Sequence, residues 1–142
     1  MHILVIMNKF KAISAAISLL LGYLFNDIDG LMWALITLMI LDYISGVIVA
    51  IIKKNLSSEI GAKGIAKKLM IFIIVIIANI VDVNVICQDH ILRNVTIMFY
   101  IANESISIIE NAAEAGVPVP QKIISVLGQI KKKGDDDNSN DS

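Results

Sequence analysis

Leu31–Ile52 is a long apolar stretch that carries a single charge, Asp42, near its middle. About 22 residues at a 1.5 Å rise give roughly 33 Å of helix, enough to cross a ~30 Å hydrocarbon core. A carboxylate at that depth costs about 2.5–3.5 kcal/mol on insertion scales, so it must face another helix, a water-filled path or a proton. The chain is therefore expected to fold in a membrane, with a polar group to hide or to use. Its composition agrees. Hydrophobic residues make up 56% of 142 and charged residues 18%, where a soluble domain exposes more charge.

Charge divides the rest into a single membrane domain, residues 1–130, with candidate helices at about 10–28, 31–52, 69–87 and 91–114. The first is the weakest, because its fully apolar part, Ala12–Phe25, covers only about 21 Å. Lys9 and Lys11 precede it as in a signal peptide, but Asn26–Gly30 offers no small-x-small cleavage pattern, so a retained anchor is expected. A three-span arrangement, with this segment lying at the interface, stays open beside the four-span one.

Basic residues set the expected orientation. Lys53, Lys54, Lys63, Lys67 and Lys68 fill the stretch between the second and third segments, and Lys131, Lys132 and Lys133 follow the fourth. With four spans every lysine lies on one side, which should be cytoplasmic, together with both termini. The same lysines are candidate contacts for anionic lipid. Lys53–Lys68, with Gly61 and Gly64, reads as a flexible turn. Gly116, Pro118 and Pro120 stop the fourth helix, and residues 120–132 follow as an interfacial amphipathic helix. The acidic end, 133–142, has hardly any apolar content and is expected to be disordered.

The fourth segment is sorted by face. At 100° per residue, Arg93, Thr96, Tyr100, Asn103, Glu104, Ser107, Glu110, Asn111 and Glu114 fall within an arc of about 120°. Ile91, Val95, Met98, Ala102, Ile106, Ile109 and Ala113 lie opposite. Lipid cannot take such a stripe. Three readings stay open: a helix lying on the surface, a stripe satisfied by Asp42 and Asn79 inside one bundle, or stripes from several copies lining water. On the last, Thr96, Tyr100, Asn103, Glu104, Ser107, Glu110 and Asn111 are the candidate pore-lining residues.

Asp42, Ser45 and Gly46 read as a helix-packing set, since small residues permit close approach and polar ones then bond across it. Asp82 is expected to be solvated near the outer interface, and Arg93 to form an exposed pair with Asp82 or Asp89, which contributes little. One cysteine, Cys87, excludes an intramolecular disulfide. His90 stands alone, so no metal site is expected. No catalytic motif is present; no enzyme activity, cofactor or nucleic-acid partner is expected.

From about Leu41 to Ile123 the residues resemble the toxin-secretion/phage-lysis holins. Asp42-Tyr43-Ile44-Ser45-Gly46 is similar to that family's D-x-x-x-G in an apolar helix, and Ser57-Ser58, Gly61, Gly64 and Lys67-Lys68 to its Ser/Gly-rich basic loop. The most specific piece is Asn103-Glu104-Ser105-Ile106-Ser107-Ile108-Ile109-Glu110-Asn111, followed by Gly116-Val117-Pro118-Val119-Pro120. The resemblance implies an all-α protein of the bacterial cytoplasmic membrane that self-assembles and opens non-specific lesions, releasing a murein hydrolase or a toxin. Its timing would depend on how long the polar stripes stay buried. A selective ion channel or proton-coupled transporter using Asp42, Asp82 and Glu104, and a structural subunit of a larger complex, are the alternatives.

Overall fold

The computed structural model describes residues 1–87 and 89–139, with side chains beyond residue 129 described only at Lys132. Five α-helices follow one another: α1 His2–Phe25, α2 Gly30–Ile52, α3 Ser58–Val81, α4 Ile91–Glu114 and α5 Gln121–Ser139. A π-helical turn, Asp82–Ile86, extends α3. The described residues contain no strand. Three helices are long and apolar enough to cross a membrane: His2–Phe25, Gly30–Ile52 and Ser58–Ile86. The protein is an all-α membrane protein.

Several boundaries differ from those expected. Helix α1 begins at His2 rather than near residue 10, because Ile3–Met7 add a second apolar stretch before Asn8, Lys9 and Lys11, and no proline or glycine pair breaks the helix before Asn26. Its 24 residues make about 36 Å of helix, so it is not short for a span. It ends at Phe25, where Asn26 turns left-handed (φ 54°) and donates its N–H to the Gly22 carbonyl at 2.9 Å.

Helix α3 starts at Ser58, not Leu69, so most of the expected Lys53–Lys68 turn is helical. Ser57 caps it, its Oγ accepting the Ile60 N–H at 3.2 Å, and Glu59 in the first turn suits the helix dipole. Gly61 and Gly64 are not hinges. A Cβ on Gly61 would lie 3.1 Å from the Tyr43 hydroxyl, and one on Gly64 3.6 Å from its ring. Gly61 lets α3 close on the aromatic side chain of α2, while Gly64 packs beside the ring at ordinary contact distance.

Helix α4 ends in a Schellman motif. Gly116 (φ 87°) donates to Ala113 at 3.0 Å and Val117 donates to Ala112 at 2.9 Å. Helix α5 packs against α4 and runs through Ser139, so residues 133–139, expected to be disordered, are helical. The stretch has no proline, and its one glycine, Gly134, costs only about 1 kcal/mol in a helix. The remainder of that expected tail, 140–142, lies outside the described residues.

Helix α4 is the hub, packing against α2, α3 and α5. It runs parallel to α2 along the same length. Arg93 near its start pairs with Asp29 at the start of α2, and Glu114 at its end pairs with Lys53 at the end of α2. The apolar core is small: Met32, Leu35 and Met39 of α2, Ile71 and Val75 of α3, and Ile97 of α4. Meanwhile Ile40, Ile44, Ile48 and Ile51 point outward along α2. Large apolar side chains outside and polar ones inside is the arrangement expected of a lipid-embedded bundle, where lipid is as apolar as leucine. Helix α1 has no buried residue and touches the bundle through α3 and its own last turn.

Candidate functional site

Two polar assemblies occupy the bundle. The first lies between α2, α3 and α4. Lys68 Nζ donates to Asp42 Oδ2 and to Glu104 Oε2, both at 2.6 Å. Each helix thus supplies one charge, and the side chains are only 16%, 16% and 5% exposed for Lys68, Asp42 and Glu104. One turn away, Asn111 Nδ2 donates to Ser45 Oγ at 2.9 Å and approaches Asp42 Oδ1 at 3.4 Å. Gly46 lies beside this amide, where a Cβ would stand at an ordinary contact distance of 3.8 Å from Asn111 Nδ2. Lys53 and Glu114 close the seam at 2.6 Å, each about half exposed. Such an exposed pair contributes about 0–1 kcal/mol.

The seam borders a cavity of about 490 Å³ whose lining includes Asp42, Lys68, Tyr100, Asn103, Glu104 and Ser107. Aliphatic side chains such as Val47, Ile71 and Ile74 form the remaining wall. The cavity is thus polar along the seam and on its α4 side, where the side chains offer water hydrogen-bond partners, and largely apolar elsewhere.

The second assembly joins the opposite ends of the helices. The Arg93 guanidinium, 1% exposed, uses all of its five N–H donors. Nε donates to the Phe25 carbonyl at 2.7 Å. Nη1 donates to Asp29 Oδ2 at 2.9 Å and Asn94 Oδ1 at 3.0 Å, and Nη2 donates to the Asp27 carbonyl at 3.0 Å and Asp29 Oδ1 at 3.4 Å. Asp29 also caps α2, accepting the Met32 N–H at 3.0 Å. The guanidinium bonded to Asp29 holds its carboxyl below the usual carboxylate range, burial opposing and the Met32 N–H assisting. Asp82, wholly buried, accepts the N–H groups of Leu92 and Arg93 at 3.1 and 2.7 Å, and so caps α4 from the π-helical turn. Asn79 Nδ2 donates to the carbonyls of Tyr23 and Leu24 at 3.1 and 2.9 Å. These are final-turn carbonyls of α1 without helical partners.

These positions correct several expectations. Arg93 is buried and pairs with Asp29, not exposed beside Asp82 or Asp89. Asp82 is buried rather than solvated, because its carboxylate serves the α4 N-terminus. Asn79 bonds to α1 and not to the stripe of α4. Lys68 does not belong to the exposed basic surface of Lys53, Lys54, Lys63 and Lys67; helical spacing on α3 turns it inward.

Of the seven candidate pore-lining residues, Tyr100, Asn103, Glu104, Ser107 and Asn111 face the cavity inside one chain. Thr96 bonds back to the Leu92 carbonyl at 2.7 Å. Glu110 is exposed. Asp42, Ser45 and Gly46 all meet α4 near Asn111. Gly116 forms the turn described above, Pro118 follows it, and Pro120 immediately precedes α5. Lys131, Lys132 and Lys133 lie within α5. The joining of the helix ends by Arg93, Asp82 and Asn79 is not among the sequence-based expectations. Their signal was an arginine and an asparagine next to segment ends, where backbone groups need partners.

The model of the bacteriophage holin family matches residues 19–132. A probable holin of Bacillus phage phi105 is 39% identical over 114 residues, covering 80% of this chain and 83% of that protein. An uncharacterized protein of Listeria monocytogenes is 40% identical over 121 residues, covering 84% of this chain and 86% of its own. An uncharacterized 14.9 kDa protein in the nagH 3′ region of Clostridium perfringens is 35% identical over 128 residues, covering 90% and 97%. No solved structure matches the chain. On a family match that spans most of its length, the chain belongs to the bacteriophage holin family.

Proposed function

We propose that this protein works as a holin: it accumulates in the bacterial cytoplasmic membrane, associates with copies of itself, and opens non-specific lesions that release a cell-wall hydrolase. The observation that carries this is the inward-turned stripe of α4. Tyr100, Asn103, Glu104, Ser107 and Asn111 form a polar face inside an apolar-surfaced bundle, around a cavity. A bundle built only to sit in lipid has no use for that face, because satisfying it costs desolvation that apolar packing avoids. A bundle that must later present water-compatible surface needs one. Such a role requires no catalytic residue.

In this reading α4 crosses the membrane with α2, as their paired ends support. The lysines of the α2–α3 end, Lys53, Lys54, Lys63 and Lys67, favour the cytoplasm for that side. The start of α1 and the end of α4 then share it. When lesions open, the stripes of several copies line the water.

Induced expression with a co-expressed endolysin tests the reading. Abrupt loss of membrane potential, with escape of a cytosolic enzyme, is the expected result. A saturable ion flux that passes no protein would replace the holin with a selective channel. Unchanged viability after confirmed insertion would remove it.

A further inference from the structure

The Asp42–Lys68–Glu104 cluster is the only place among the described residues where α2, α3 and α4 each contribute a charge to one contact. Both carboxylates reach the same ammonium from different helices, and neither has another cation within salt-bridge distance among the described residues. Without Lys68, two carboxylates would face each other across a seam of low dielectric, where like charges repel strongly. The neighbouring contacts are weaker in kind. Asn111 to Ser45 is a neutral hydrogen bond, and Lys53 to Glu114 is half exposed. The seam therefore has one dominant fastener, and its central atom is Lys68 Nζ.

We propose that Lys68 is an intramolecular latch: it holds the polar face of α4 shut against α2 and α3, and release of this contact sets when the face becomes available to water and to other copies. Its timing part rests on the holin reading; the closed contact itself does not. The latch acts through charge balance rather than through volume. Removing the ammonium alone should open the seam. Removing all three charges should let it close again, because neutral amides at these positions neither repel nor carry a large desolvation penalty.

Ser45→Cys with Asn111→Cys, in a Cys87→Ser background, converts the 2.9 Å Ser45–Asn111 contact into a disulfide reporter for the closed seam. Oxidation in isolated membranes then measures the closed fraction, independently of lysis. The parent should cross-link almost completely before lysis. Lys68→Gln should cross-link several-fold less and, at equal membrane level, lyse several-fold earlier. The triple variant Asp42→Asn, Lys68→Gln, Glu104→Gln should regain both the cross-link and the delay. A Lys68→Gln protein that cross-links as fully as its parent and keeps its schedule overturns the latch. So does a triple variant that behaves like Lys68→Gln, which would mean that the ammonium matters as a packed side chain only. If the parent cross-links but never permeabilises cells, the holin reading fails while the cross-linking comparison still decides the latch.

Discussion

Replacing Arg93 should be the most damaging single change in the bundle. The side chain is 1% exposed, and its bonds tie the last turn of α1, the α1–α2 turn, the cap of α2 and the first turn of α4 into one unit. Arg93→Met keeps most of the volume and deletes every one of these bonds. Breaking a buried ion pair by removing one partner costs about 3–5 kcal/mol. Asp29 is 44% exposed and will rehydrate, so the lower end, about 3 kcal/mol, is the better figure. Arg93→Lys keeps the charge but loses the planar fork, and should forfeit about half of that.

Denaturant titration in mixed micelles reads the free energy, and limited proteolysis at Asn26–Asp29 reads release of α1. Both should move together, since α1 has no buried residue and is held at its last turn, by these bonds and by the partly buried Phe25 ring against Phe72. An Arg93→Met protein within about 0.5 kcal/mol of the parent, an ordinary surface effect, would refute the reasoning. It would mean that lipid and water satisfy the α1 carbonyls as well as the guanidinium does.

Asp29 gives the same assembly an acid limit. Its carboxyl sits below the ordinary 3.8, so its contribution is complete above that value and is lost as pH falls through the lowered folded value. Stability measured from pH 5 downward should drop in that acid window, and Asp29→Asn should flatten the drop. The two helix-interior glycines facing Tyr43 should separate cleanly. Gly61→Ala places a Cβ 3.1 Å from the Tyr43 hydroxyl and should destabilise by about 1 kcal/mol, with Tyr43→Phe relieving it in a double-mutant cycle. Gly64→Ala, at 3.6 Å, meets an ordinary contact and should be neutral or slightly stabilising, since alanine is the better helix former. Equal effects at the two positions would contradict the packing described for α3 on α2.

The sequence by itself determined that this chain is helical and lives in a membrane. The apolar length of Leu31–Ile52 and its neighbours leaves little else. It also determined that α4 has a polar face, because facial sorting depends only on residue spacing along one helix. Spacing cannot say what that face meets. Lys67 and Lys68 are adjacent in sequence, yet only Lys68 points into the bundle, and local pattern made both part of a basic turn. Arg93 and Asp29 are far apart in the chain, as are Asn79 and Leu24, and their meeting depends on how the helices are arranged. Tertiary structure alone decided which backbone groups at the helix ends needed a side chain, and which buried charges found partners across three helices. The physical reason is that periodicity constrains one helix at a time, whereas satisfying a buried polar group requires a second segment at bonding distance.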